Sequence, residues 1–238
     1  MLNSNKMPVV SIQRHRMNTD GEGVRTLVHS YRCNLACKWC CNPETRYQNK
    51  FVLCTPKELF NTVRLDDIYF ITTNGGITFS GGEPLLHKEF IREFSELAHS
   101  YNWRIGVESA FNFTDISDVD FIDDFLIDIK TMNEDIHQKY TGSTNKYILN
   151  NIQKLAEKRA DDISISIPII PTVNDSVENL MDTISFVKSC GITKMKLLPY
   201  RDYNKEKYEP MKIPYELDVV YDENQFKKLQ EILRKELL

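Results

Sequence analysis

Six short β-type runs alternate with helical ones along the 238 residues, which predicts an α/β fold with a parallel sheet. Polar residues close one strand after another, the place where βα barrels keep their functional groups. The form predicted is a partial (βα)6 TIM-like barrel: one domain over residues 1–238, with one site at its mouth.

The first strand, 24–30, runs into a loop containing Cys33, Cys37 and Cys40. Residues 55–64 read as a short helix, capped by Thr55 with Glu58 three residues on. A second strand, 77–80, ends in Gly81-Gly82-Glu83-Pro84, and residues 88–100 carry helical spacing in Phe90, Ile91, Phe94 and Leu97. The third strand, 104–108, ends at Glu108, and the fourth, 125–129, carries Asp128 with Lys130 just beyond. Helices at 133–140 and 147–158 are separated by Thr141-Gly142-Ser143-Thr144. In 163–170 isoleucine and serine alternate until Pro171 stops the strand. A helix at 177–190 and a sixth strand at 194–198 lead to Tyr200 and Arg201. A polar, Tyr-rich loop then precedes a closing helix, 223–238, whose apolar face is Phe226, Leu229, Ile232 and Leu233.

Composition bounds the function. With 41% hydrophobic and 27% charged residues the chain reads as globular, not disordered or fibrous. A net charge of −4 with scattered Lys and Arg disfavours nucleic acid as a partner. The N-terminus has no apolar stretch of the signal-peptide kind, and no run approaches the ~20 residues that span a bilayer. A cytoplasmic protein is expected, whose six cysteines are reduced, so that clustered ones point to a metal or redox site. Cys54 and Cys190 stand alone.

Cys33, Cys37 and Cys40 form a C-x3-C-x2-C run. A structural zinc site needs four protein ligands, so zinc would require Cys41 or Cys54 to close the set. A [4Fe–4S] cluster is normally held by four thiolates. Three suit it better than zinc if a bound molecule takes the last iron. Gly81-Gly82-Glu83-Pro84 directly after a strand is either a plain turn or a backbone made bare for a ligand. Asp128 and Lys130 flank Ile129, so pleating sends both to one face, as a salt bridge or as a polar wall. Glu108 is either a surface residue or part of that wall.

Taken together these runs resemble the radical S-adenosylmethionine enzymes, and within them the glycyl-radical enzyme activating enzymes. Asp20-Gly21-Glu22-Gly23-Val24-Arg25 is similar to their entry motif, and Cys37-Lys38-Trp39-Cys40-Cys41-Asn42-Pro43-Glu44 to their cysteine loop. Phe79–Leu86 is similar to their glycine segment; Ile127–Asn133 with His137, Tyr140-Thr141-Gly142 and Ile152 follows their D-x-K…H…G pattern. Ile169–Asp175 and Leu198-Pro199-Tyr200 complete the series. The resemblance is closest to the short pyruvate formate-lyase activating type, without a ferredoxin-like insertion.

It implies an anaerobic oxidoreductase, an activase that cleaves S-adenosylmethionine reductively at a [4Fe–4S] cluster on Cys33, Cys37 and Cys40. The 5′-deoxyadenosyl radical would then generate a glycyl radical on a partner enzyme. It also implies cofactor contacts from Trp39, Gly81, Gly82, Glu83, Asp128 and Lys130, with Glu108 in the same shell or on a monovalent cation. Flavodoxin or ferredoxin is the implied electron donor. Three departures bear on the partner and the pocket: Cys41 in place of His, Ser166 in place of Arg, and Arg201 in place of a cofactor-contacting His. Arg201 is expected to take over that contact. The acidic segment 115–124 and the loop 200–214 are candidates to border a docking surface. Two other readings stay open: a radical enzyme for a small molecule or ribosomal peptide, and a non-enzymatic zinc protein.

Overall fold

The structure, a computed structural model, describes residues 5–17 and 19–237, with 202–204 described by backbone alone. Residues 1–4 and Leu238, the last residue expected in the closing helix, lie outside the described residues. The strands are β1 (Met7–Met17), β2 (Val24–Ser30), β3 (Val52–Cys54), β4 (Gly76–Gly81), β5 (Arg104–Ser109), β6 (Asp124–Asp128), β7 (Ile163–Ile169) and β8 (Lys194–Pro199). The helices are α1 (Glu44–Tyr47), α2 (Pro56–Val63), α3 (Asp67–Thr73), α4 (Lys88–His99), α5 (Glu134–Thr141), α6 (Lys146–Arg159), α7 (Val177–Ser189) and α8 (Glu223–Leu237).

Strand order through the sheet is β3-β1-β2-β4-β5-β6-β7-β8. The six strands expected from sequence therefore follow one another in chain order. β2 and β4, β4 and β5, and β7 and β8 pair in parallel. The expected parallel α/β core is present, with two antiparallel strands, β1 and β3, added at one edge. β1 escapes sequence patterning because its alternation fails after the first few residues. Its register shifts twice against β2, and Gln13, Arg14 and His15 are exposed.

The described residues fold as two compact units, the first within Met1–Asn34, Asn42–Ser109 and Ser117–Leu126, the second within Leu35–Cys41, Ala110–Ile116 and Ile127–Leu238. In the first, α2 starts with the expected capping box: Glu58 N–H donates to Thr55 Oγ1 at 3.2 Å, and Thr55 N–H to the Glu58 carboxylate at 2.8 Å. Phe90, Ile91 and Phe94 of α4 are buried, each such side chain contributing about 2 kcal/mol. In the second, Ile163, Ile165, Ile167 and Ile169 of β7 are buried, as period-two alternation requires. Phe226, Leu229 and Leu233 are the buried stripe of α8. Among the described residues no helix is long and apolar enough to cross a membrane.

Candidate functional site

The first unit carries Cys33, the glycine segment and Glu108. Ser30 of β2 lies opposite Gly81 of β4, so the loops after these strands start side by side. Gly82 N–H donates to Ser30 O at 3.1 Å and Glu83 N–H to Arg32 O at 2.7 Å. Arg32 adopts φ 80° just before Cys33, and Gly81 adopts φ 97°. A Cβ at Gly82 would lie 1.8 Å from Arg32 O, so this register admits only glycine there. Glu83 is buried, and its Oε1 accepts from Ser109 Oγ at 2.8 Å and from Leu85 N–H at 3.1 Å. These bonds make Glu83 a brace between the glycine segment and the end of β5. Ser80 Oγ donates to Glu108 Oε2 at 2.5 Å, which ties Glu108 to the strand that carries the glycines.

The acidic segment is turned to structural use. Asp124 pairs with Arg25, whose side chain is fully buried, and with Arg104. Burial pushes the Asp124 carboxyl up, but the Arg104 and Arg25 guanidiniums outweigh that and hold it below the usual carboxylate range. Asp123 accepts from Ile105 N–H at 2.6 Å and Asp118 pairs with Arg92, so these carboxylates are tied into the first unit.

The second unit carries Cys37, Trp39, Cys40, Asp128, Lys130 and Arg201. Lys130 Nζ donates to Asp128 Oδ2 at 3.1 Å, so the two side chains share a face as pleating predicts. Lys130 is buried and its carbonyl accepts from Asn174 Nδ2, which also donates to Pro168 O at 2.6 Å. Asn179 Oδ1 accepts from Thr131 Oγ1 and Met132 N–H, both at 2.9 Å. Asn145 Nδ2 donates to Met132 O at 2.9 Å. Three asparagines thus fix the bend that follows β6. Ser166, also buried, accepts from Ile129 N–H through its carbonyl at 3.0 Å.

Segment Leu35–Cys41 has no helix or strand of its own and takes its shape from distant chain. Ala36 N–H donates to Thr141 O at 2.6 Å and Lys38 N–H to Tyr140 O at 3.0 Å, both at the C-terminal end of α5. Gly142 closes that helix at φ 79°, where a Cβ would press on Ala36 Cβ at 3.3 Å. Trp39 is buried in an apolar cluster with Ile170, Val173, Tyr200 and Leu217. In α5, His137 Nδ1 donates to Ser143 O at 2.6 Å, and its buried Nε2 has no hydrogen-bond partner. Burial, aided by the charge of Lys130, holds this imidazole below the usual histidine range.

A family model described as the Radical SAM superfamily matches residues 27–184, more than half of the chain. The chain belongs to the radical SAM superfamily. It is 32% identical to the pyruvate formate-lyase-activating enzyme of Clostridium pasteurianum over 92% of this chain and 93% of that one. It is 30% identical to the 4-hydroxyphenylacetate decarboxylase activating enzyme of Clostridioides difficile (strain 630), over 90% of this chain and 89% of that one. A solved domain of a pyruvate-formate lyase-activating enzyme from Bacteroides vulgatus superposes with a TM-score of 0.55 at 30% identity, covering 69% of this chain and 96% of that one. Its place is among the glycyl-radical enzyme activating enzymes of the superfamily, and the zinc-protein reading loses its support.

A radical SAM protein implies a [4Fe–4S] cluster and S-adenosylmethionine. Three thiols on one loop are the kind of donor such a cluster takes. Cys33, Cys37 and Cys40 lie on one loop and none forms a disulfide. Burial pushes the thiols of Cys54 and Cys190 up, which makes them poor thiolate donors. Among the described residues, no three His, Cys, Asp or Glu side chains are gathered as they would be around an ion. Cys33 belongs to the first unit, with Gly81, Gly82, Glu83 and Glu108; Cys37, Cys40, Asp128 and Lys130 belong to the second. Arg201 is exposed beyond the end of β8. Sequence reasoning missed the roles of Asn174, Asn145 and Asn179; Asn174 stood inside the quoted run Ile169–Asp175, a signal of place but not of partner.

Proposed function

We propose that this radical SAM enzyme is the activase of a glycyl-radical enzyme, with residues 1–238 working as a single domain in the cytoplasm. Cys33, Cys37 and Cys40 would hold the [4Fe–4S] cluster, with S-adenosylmethionine at its open iron. Together they would supply one-electron cleavage chemistry, and with it hydrogen abstraction from a glycine Cα of the partner, where the residues of this chain position the reactants and exclude water. Gly81 and Gly82, which carry no side chains, would present their backbone to the cofactor's amino group, held in place by Glu83. Asp128 and Lys130 would line its methionine end, Lys130 through its ammonium, with Trp39 beside it. Glu108 would join that shell or a monovalent cation, and Arg201 would donate hydrogen bonds to the ribose or carboxylate. Flavodoxin or ferredoxin would deliver the electron.

The observation that carries this reading is the pair of backbone bonds from Ala36 and Lys38 to Thr141 and Tyr140. The stretch in which the chain resembles activating enzymes in particular is the one that grips the cysteine loop. The test is anaerobic incubation of reconstituted protein, S-adenosylmethionine and a reductant with a glycyl-radical enzyme from its own host, read by electron paramagnetic resonance. A glycyl doublet is expected. Cofactor cleavage with no doublet on any such partner, alongside turnover of a small molecule, would overturn the reading.

A further inference from the structure

The segment after β8 also bonds to the cysteine loop. Tyr208 is buried, and its hydroxyl donates to Cys40 O at 2.9 Å. Lys207 Nζ donates to the next carbonyl, Cys41 O, at 2.6 Å. The Tyr208 ring packs edge-on against Tyr215 with centroids 5.0 Å apart, and Tyr215 shares a 2.8 Å hydroxyl–hydroxyl bond with Tyr200. Glu216 adds a 3.0 Å ion pair to Lys38.

Along Leu35–Cys41, two amide groups are therefore held by α5, and the last two carbonyls by Tyr208 and Lys207. A segment without regular structure has no internal ladder to hold it, so its shape is set by these outside bonds. Between the two grips lies the turn in which Cys40 N–H donates to Cys37 O at 3.2 Å, the turn that sets the spacing of two thiols.

We infer that Tyr208, seconded by Lys207, is a positioning residue for the cluster: it holds Cys37 and Cys40 in ligand spacing before iron arrives and slows cluster loss afterwards. Tyr200 and Tyr215 back it from behind. The Tyr-rich loop, on this account, faces the cysteine loop and not a docking partner. The inference rests on the proposed cluster ligands, and its test separates the two.

Tyr208→Phe removes one donor and keeps the ring, and Tyr147→Phe, at an exposed position of α6, is the control. Amide hydrogen exchange on the apoproteins should show Lys38 and Cys40 opening about fivefold faster in Tyr208→Phe, the worth of one hydrogen bond. Exchange elsewhere and the melting temperature should match the control. After anaerobic reconstitution, iron release to a chelator should accelerate by a similar factor. Unchanged exchange at Cys40, unchanged iron release, or loosening spread over the whole chain would each overturn the inference. Failure of the wild type to take up a cluster would instead overturn the ligand assignment, while the apoprotein exchange would still decide the role of Tyr208.

Discussion

Gly82 sits so close to Arg32 that a methyl group on its Cα would lie 1.8 Å from the Arg32 carbonyl oxygen. The glycine segment and the root of the cysteine loop are thus built against each other, with the Glu83 N–H bonded to that same oxygen. Gly82→Ala must push the two apart. Iron and sulfide bound after reconstitution should fall below half of wild type. At Gly106 a Cβ would meet side chains and no backbone atom among its nearest neighbours, Thr78 Oγ1 first at 2.9 Å. Gly106→Ala should therefore lose less, and equal iron content in wild type and Gly82→Ala would refute the claim.

Cluster retention should divide the cysteines. Ala in place of Cys33, Cys37 or Cys40 should abolish iron binding and visible charge-transfer absorbance. Ala in place of Cys41, Cys54 or Cys190 should leave both near wild type. Loss in Cys41→Ala or Cys54→Ala as deep as in Cys37→Ala would contradict the three-ligand set.

Asn174 is 2% exposed and bonds Lys130 O, Pro168 O and Ile170 N–H. Asn174→Ala removes bonds to three backbone groups, two of them buried, and an unmade buried bond costs about 1–3 kcal/mol. A loss of about 3 kcal/mol in denaturant unfolding is expected, together with weaker S-adenosylmethionine binding because Lys130 is no longer held. Binding as tight as wild type would separate Asn174 from the site.

Asp124 is the sole carboxylate that the described contacts give to buried Arg25, whose Nη1 already has no hydrogen-bond partner. Asp124→Asn leaves a charged guanidinium in the core, a change of the kind that costs about 3–5 kcal/mol. Thermal unfolding should show it, and a melting temperature within a degree or so of wild type would rule out that role for the pair.

Stability should also fall on acidification in two steps. Burial holds His137 and His87 below the usual histidine range, so the unfolded chain binds protons first. Their contribution is present above the unfolded histidine pKa of about 6.5 and is lost as pH falls below it. Asp66 and Asp124 are held below the usual carboxylate range, where Arg14 and Thr26 outweigh burial for the first and Arg104 and Arg25 for the second. Their contribution is present above about pH 4 and is lost below. His137→Gln should shrink the first step only. A melting temperature that stays flat from pH 7 to 5 in wild type would contradict the histidine assignment.

Much of the fold was legible before any coordinates. The strand 24–30 agrees with β2 at both ends, and the other five expected strands agree with β4 to β8 within a residue or two. Those strands are strongly apolar or alternating, and their helices carry caps such as Thr55 and Asn133, which are local signals. β1 and β3 were not legible: β1 shifts register twice against β2 and is largely exposed in its second half, and β3 is three residues long, so neither shows a clean period. The bonds that Glu83 Oε1 accepts from Ser109 and Leu85 were not legible in sequence either, since the first spans 26 positions.

Chemistry was written in the order of residue types: three thiols on a loop, two bare glycines after a strand, an acid and a base on one pleated face. Spacing along the chain decides such things, because each motif acts within a few residues of itself. What holds them was decided only by tertiary structure. Asn174 reaches Lys130 across 44 positions, and Tyr208 reaches Cys40 across 168. A hydrogen bond needs a donor brought within about 3 Å of its acceptor, and over such separations only the folded path of the chain can do that.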